Sequence, residues 1–172
     1  AGGTAVHVDA AWRAGLSDDH PLKTKAWWLY YLGYRQLFAF DSQPAWLCVM
    51  AADSPDGPWE SPQLNPESPG PNCVMKVDGL SLAAITLEPS RMVLSATRTQ
   101  LGSTPSAGIY AYESSDGLSW SLIGPEAPLM GLATTPTPPA LYPRIGARSR
   151  LIWDATEQRF VGLLSLPSDA FG

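Results

Sequence analysis

The chain has 172 residues and carries 16 acidic against 11 basic side chains, a formal net charge of -5. That acidic balance excludes a general phosphate-binding surface for nucleic acid, which needs clustered Lys and Arg. Hydrophobic residues make up 45%, enough for one domain with its own core. No apolar run approaches the roughly 18 residues of a membrane-spanning helix, so no membrane partner is expected. The 17 prolines and 15 glycines stand as punctuation between apolar runs, the pattern of short strands and turns.

In chain order, Thr4–Asp9 is a short alternating run and predicts a strand ending at an acidic turn. The polar stretch from Ala11 to Lys25, with its Asp18-Asp19-His20 cluster, predicts a loop. A short helix over Ala10–Leu16, capped by Asp9, is the alternative there. Ala26–Tyr34 is dense in aromatics and predicts a strand. Ala45–Ala52 predicts the next strand, closed by a Ser54-Pro-Asp-Gly57 turn in which Gly57 supplies a positive φ and Asp56 bonds nearby amides. Trp59 then opens an outer edge strand that Pro62 breaks.

Asn72–Val77 predicts a strand, and Asp78-Gly79 after it is a strong hairpin signal. Leu80–Leu87 follows, ending at Glu88-Pro89, and then Arg91–Thr97. Ala107–Glu113 runs into a Ser-Asp-Gly turn at Asp116 and Gly117, with Trp120–Ile123 as an edge strand. A Pro/Thr-rich connection occupies 124–142. Ser149–Asp154 and Arg159–Ser165 predict a final hairpin. Cys48 and Cys73 leave two readings open: a buried thiol within an apolar strand, or a disulfide between them. No Cys/His spacing fits a zinc site, and neither metal nor cofactor is expected.

Two stretches repeat. Asp56, Gly57 and Trp59 in the first are equivalent to Asp116, Gly117 and Trp120 in the second. Val8-Asp9, Leu87-Glu88 and Trp153-Asp154 each end a strand with an acid. The unit is strand, acidic turn, strand, strand, Ser-Asp-Gly turn, Trp strand. A four-stranded unit repeated along the chain predicts an all-β fold of antiparallel β-propeller blades, since long periods, often of roughly 40–50 residues, mark blade repeats. The approximate units are 1–66, 67–128 and 129–172, about two and a half blades. An antiparallel sandwich of the same strands is the alternative architecture. Since rings of roughly 4–8 blades close on themselves, the chain is expected to be a fragment, or to be completed by further blades or a partner chain. The first residue is Ala and no signal-peptide pattern is present, in keeping with a processed chain or a piece of a longer one.

At Cys48–Pro62, Tyr112–Trp120 and Leu151–Val161 the chain resembles the five-bladed β-propeller glycoside hydrolase superfamily, which includes invertase-like and arabinanase-like enzymes. Trp28–Tyr34 is similar to that family's second blade strand. The resemblance implies a carbohydrate-active domain, or one derived from a carbohydrate-active enzyme, with a carbohydrate ligand. Family members hydrolyse glycosides with three acids around a central channel, because the chemistry needs paired carboxylates at a fixed separation. The chain lacks the Asn-Asp-Pro-Asn-type, Arg-Asp-Pro and Glu-Cys motifs of the invertase-like branch, so no catalytic acid is assigned. A non-catalytic carbohydrate- or protein-binding propeller is the alternative. A sialidase-type propeller is a third reading, from similar Ser-x-Asp-x-Gly-x-x-Trp boxes, although both turns here lack the residue between Asp and Gly.

The candidate substrate-binding residues are His7, Asn72, Asp78, Arg148 and Arg150, on or just before presumed innermost strands. His7 would serve as acid/base or sugar contact, against a polar surface residue. Arg148 and Arg150 would fork onto a carboxylate or hydroxyls, against a solvated basic pair. Asp78 before Gly79 reads most simply as a turn residue. Trp12, Trp27 and Trp46 are stacking candidates that compete with core packing. Asp56, Gly57, Trp59, Asp116, Gly117, Trp120 and Asp154 are assigned to turn structure, with Asp9 and Glu88 in the same turn position.

Overall fold

The computed structural model describes residues 3–34, 45–64, 70–77, 80–98, 108–124, 130–131, 150–154, 156–157 and 159–163. Asp78, Gly79 and Arg148 therefore lie outside the described residues. The protein is all-β, with two four-strand antiparallel sheets and one short helix among the described residues. The first sheet has the order β1 (Gly3–His7), β2 (Trp27–Tyr34), β3 (Ala45–Ala52) and β4 (Cys73–Val77). The second has the order β5 (Leu80–Leu87), β6 (Met92–Arg98), β7 (Gly108–Ser114) and β8 (Ser121–Leu122), with β9 (Met130–Gly131) also paired to β7. A separate hairpin joins β10 (Arg150–Asp154) to β11 (Arg159–Leu163).

The sequence pattern explains these elements. Asp9 caps the helix α1 (Ala10–Ala14), its Oδ1 accepting the Trp12 amide at 2.8 Å. The helix stops at Gly15, short of the Leu16 expected from sequence. Along β2, Trp28 and Tyr30 are fully buried while Trp27, Leu29 and Tyr31 are half-buried, the two-residue alternation of a sheet with one face in the core. Val6, Trp28, Tyr30, Leu47 and Val49 from the first sheet, with Val8 just beyond β1, meet Ile85, Met92, Leu94, Ala96 and Tyr110 from the second in one cluster. The core thus sits between the sheets.

Two expectations are corrected. The strands on either side of the Asp78-Gly79 signal do not form a hairpin with one another: β4 pairs with β3, and β5 with β6, in different sheets. The edge strand expected at Trp59 is a single bridge between Glu60 and Ala51, since Gly57-Pro58 and Pro62 remove ladder donors on either side. The outer edge of the first sheet is instead β4, which had been placed at the start of the second unit. Of the two readings left open for Cys48, the structure has the disulfide. Cys48 is bonded to Cys73 across the β3–β4 ladder, closing a sequence separation of 25. Gly33 lies over that bond, and a Cβ there would come within 2.8 Å of the Cys48 Sγ.

Only Asp78 and Gly79 separate Val77 from Leu80, a reach of at most about 11 Å. The Val77 end of the first sheet and the Leu80 end of the second therefore lie together. His7, Trp27 and Ala52 mark the opposite end of the first sheet, and Leu87, Met92 and Ser114 that of the second. Among the described residues no helix is long and apolar enough to cross a membrane.

Candidate functional site

Of the sequence-predicted ligand residues, the described His7 and Asn72 lie apart. His7 ends β1, is exposed, and rests against Trp27 across the strand pair, with ring centroids 4.9 Å apart. Asn72 precedes β4, three strands away on the far edge of the same sheet. It is 5% exposed, and its amide donates to the Val49 carbonyl and the Tyr31 hydroxyl, both at 2.8 Å. Both amide hydrogens are thus used to seat the chain entering β4. Arg150 begins β10. The premise that these residues share one set of innermost strands fails at Asn72, which borders an outer strand. Of the stacking candidates, Trp12 is 8% exposed and edge-on to Trp28, a core position, while Trp27 and Trp46 are half-buried on the outer face of the first sheet.

Two pairs of described carboxylates each share a base. Lys25 Nζ lies 3.1 Å from Asp53 and 2.8 Å from Glu60. Arg91 donates to Glu88 at 2.7 Å and to Glu113. A glycosidase pair needs two carboxyl groups facing one substrate, and neither described pair does so. Asp154 accepts the Thr156 and Glu157 amides at 3.0 and 3.2 Å, an Asx turn joining β10 to β11. Among the described residues, no group of three or more His, Cys, Asp and Glu is placed to hold a metal.

The most organised polar cluster joins the two sheets. Asp116 Oδ1 accepts the Leu118 and Ser119 amides at 2.8 and 2.7 Å and the Ser114 hydroxyl at 2.9 Å. Burial pushes the Asp116 carboxyl up, but these bonds outweigh it and hold the group below the usual carboxylate range. The turn presents two carbonyls to the first sheet. Gly117 O accepts the Tyr30 hydroxyl at 2.9 Å and the Trp120 indole at 3.2 Å. Burial, then the nearby Asp116 charge, keeps the Tyr30 phenol protonated as that donor.

His20 reaches the second carbonyl from the β1–β2 connection. The Leu22 amide donates to its Nδ1 at 3.2 Å, which makes Nδ1 the acceptor. Nε2 therefore carries the proton and donates to the Asp116 carbonyl at 3.0 Å. The ring stacks on Trp28 with planes 13° apart. Desolvation lowers the His20 pKa, opposed by its bond to Asp116 and the charges of Asp116 and Asp19.

Beside this junction the sheets part around a cavity of about 530 Å³, lined by Asp19, Pro21, Gln63, Leu64, Val74 and Leu118. Leu64, Val74 and Leu118 form its apolar floor and pack on the core, while Asp19, Pro21 and Gln63 are exposed at its rim. None of these six is among the ligand residues expected from sequence. The one advance signal was the charged Asp18-Asp19-His20 cluster, since the other residues converge only through the stacking of the sheets. No family model, characterised protein or solved structure matches the chain.

Proposed function

We propose that the two sheets are consecutive blades of a β-propeller, with the β10–β11 hairpin opening a third, in a glycoside-hydrolase-like domain that binds carbohydrate. The carbohydrate part of this reading rests on the sequence resemblance at Cys48–Pro62, Tyr112–Trp120 and Leu151–Val161, and one observation carries the blade part. Each sheet is a meander in chain order, and the first strands of the successive units are neighbours, β5 packing against both β1 and β10. A ring of blades brings first strands together at its axis. A two-sheet sandwich with Greek-key connections would break the chain order within its sheets. Further blades, in this polypeptide or a partner, complete the ring.

The reading is one of binding without cleavage. The paired carboxylates among the described residues are occupied by Lys25 and Arg91, and Asp116 is committed to its own turn. The test is a glycan array run beside hydrolysis of the same glycans by the 172-residue chain. Retention of a glycan class without cleavage is the expected result. Release of reducing sugar would overturn the non-catalytic part of the reading, and an empty array its carbohydrate part.

A further inference from the structure

The cavity between the sheets has a composition of its own. Its floor is aliphatic and the described residues of its lining include no aromatic ring, so they provide no flat platform on which a sugar stacks. Its volume of about 530 Å³ falls within the span of ligand sites, roughly 300–1,000 Å³. The rim provides two polar groups of different kinds. Asp19 is exposed and makes no ion pair among the described residues. Its neighbour Asp18 already binds Lys23 at 2.7 Å. Gln63 carries a carboxamide, which offers a donor and an acceptor side by side.

We infer that this cavity is a docking groove for an extended basic segment of a partner polypeptide, with a Lys or Arg side chain lying across Leu64, Val74 and Leu118 and its cationic head on Asp19. Three features select that occupant. A lysine or arginine buries its methylene stem on apolar surface while its charged head stays wet, which matches an aliphatic floor beside an exposed carboxylate. The Gln63 carboxamide is complementary to a peptide group, bonding its N–H and its C=O together. The chain's charge of -5 attracts a basic partner at long range. Asp19 itself is kept ionised by the Ser17 hydroxyl and its own backbone, which lower its pKa. This inference is independent of the carbohydrate reading, and each survives failure of the other.

The probe is the peptide acetyl-Val-Lys-Leu-amide, titrated into the ¹⁵N-labelled 172-residue chain by NMR. Two comparison peptides replace the lysine by norleucine and by glutamate. Saturable shifts centred on Asp19, Gln63, Leu64, Val74 and Leu118 are expected, with the order lysine, then norleucine, then glutamate. Asp19→Asn changes an exposed side chain, so the fold stands. It should weaken the lysine peptide about threefold, within the scale of an exposed ion pair, and leave the norleucine peptide unchanged. Raising salt should reproduce that loss in the unaltered protein. Equal binding of all three peptides, shifts lying elsewhere, or no saturation by about 10 mM peptide, beyond the weak end of specific recognition, would each overturn the inference.

Discussion

The two Ser-x-Asp-Gly turns share a sequence and a place in the chain, yet they live in different surroundings. Each follows the third strand of its sheet, β3 or β7, and each puts its glycine at positive φ, +86° at Gly57 and +76° at Gly117. There the likeness ends. Asp56 is exposed, whereas Asp116 is half-buried and accepts three hydrogen bonds. The sequence reading that made the two aspartates equivalent is correct for chain position and wrong for environment. The second turn rests on a sheet, against Trp28 and Tyr30, and the first rests on none among the described residues. A motif of this kind fixes the backbone path locally, and what its acid does is decided by whatever packs against it.

The glycines should separate the two copies most strongly. At Gly117 an added Cβ would lie 2.4 Å from Trp28 Cζ3 and 2.6 Å from the Tyr30 hydroxyl. Gly117→Ala adds the cost of left-handed backbone to that of overpacking a fixed core, together roughly 3–5 kcal/mol. At Gly57 the nearest atoms, the Trp59 amide and Cδ1, are 3.0 and 3.1 Å away and belong to its own turn. Gly57→Ala should cost the backbone term of about 1–2 kcal/mol and a small local adjustment at Trp59, less than Gly117→Ala. Urea denaturation of both variants decides it, and equal losses would erase the distinction between the turns.

The outer strands extend the contrast. β4 is bonded to β3 through Cys48–Cys73, while β8 is held to β7 by a two-residue ladder. Closing a loop of that separation restricts the unfolded chain by about 3 kcal/mol. The double variant Cys48→Ala/Cys73→Ala should lose about that much. Hydrogen exchange should rise first at Val74–Val77 and leave β6 and β7 protected.

How far the sequence could be read follows the same line. Ala45–Ala52 is legible to the residue because an apolar run lies between two turn signals, and the Asp9 cap because its partner is three residues away. The Asp78-Gly79 signal misled because a tight turn states that the chain bends, and not which sheet receives the next strand. Asn72 was misplaced for that reason. Neither the pairing of β4 with β3 nor the groove at Asp19, Gln63 and Leu118 has a local signature, since both depend on residues far apart in the chain meeting.

Removing the hydroxyl at Tyr30 tests the docked turn more gently. Tyr30→Phe deletes the bond to Gly117 O and keeps the edge-on contact with Trp120, whose ring centre lies 5.7 Å away. The Trp120 indole still satisfies that carbonyl. The loss should be about 1 kcal/mol, and it should add to that of Gly57→Ala, since the two turns share no partner. Strong coupling between them would mean that the first turn is docked after all.

The smallest expected effect is a dependence on pH that belongs to the docked turn alone. His20 is held as the neutral tautomer, because the Leu22 amide points at Nδ1 where a second proton would have to sit. Its pKa is lowered from 6.5 in the fold, first by burial. Just below that ordinary value the unfolded chain therefore binds more protons than the folded one, and stability rises with pH. The contribution is complete above 6.5, declines as pH falls through it, and levels off below the folded pKa. Asp116 and Asp19 oppose the shift by favouring the charged ring, and Lys23 supports it. Asp116 adds a second decline only at lower pH, below the ordinary carboxylate value of 3.8. Urea midpoints measured from pH 8 to 5 should fall in the wild-type chain and flatten in His20→Gln. A slope that survives this substitution would place the titrating group elsewhere, and the second turn would then owe nothing of its pH response to the ring stacked on Trp28.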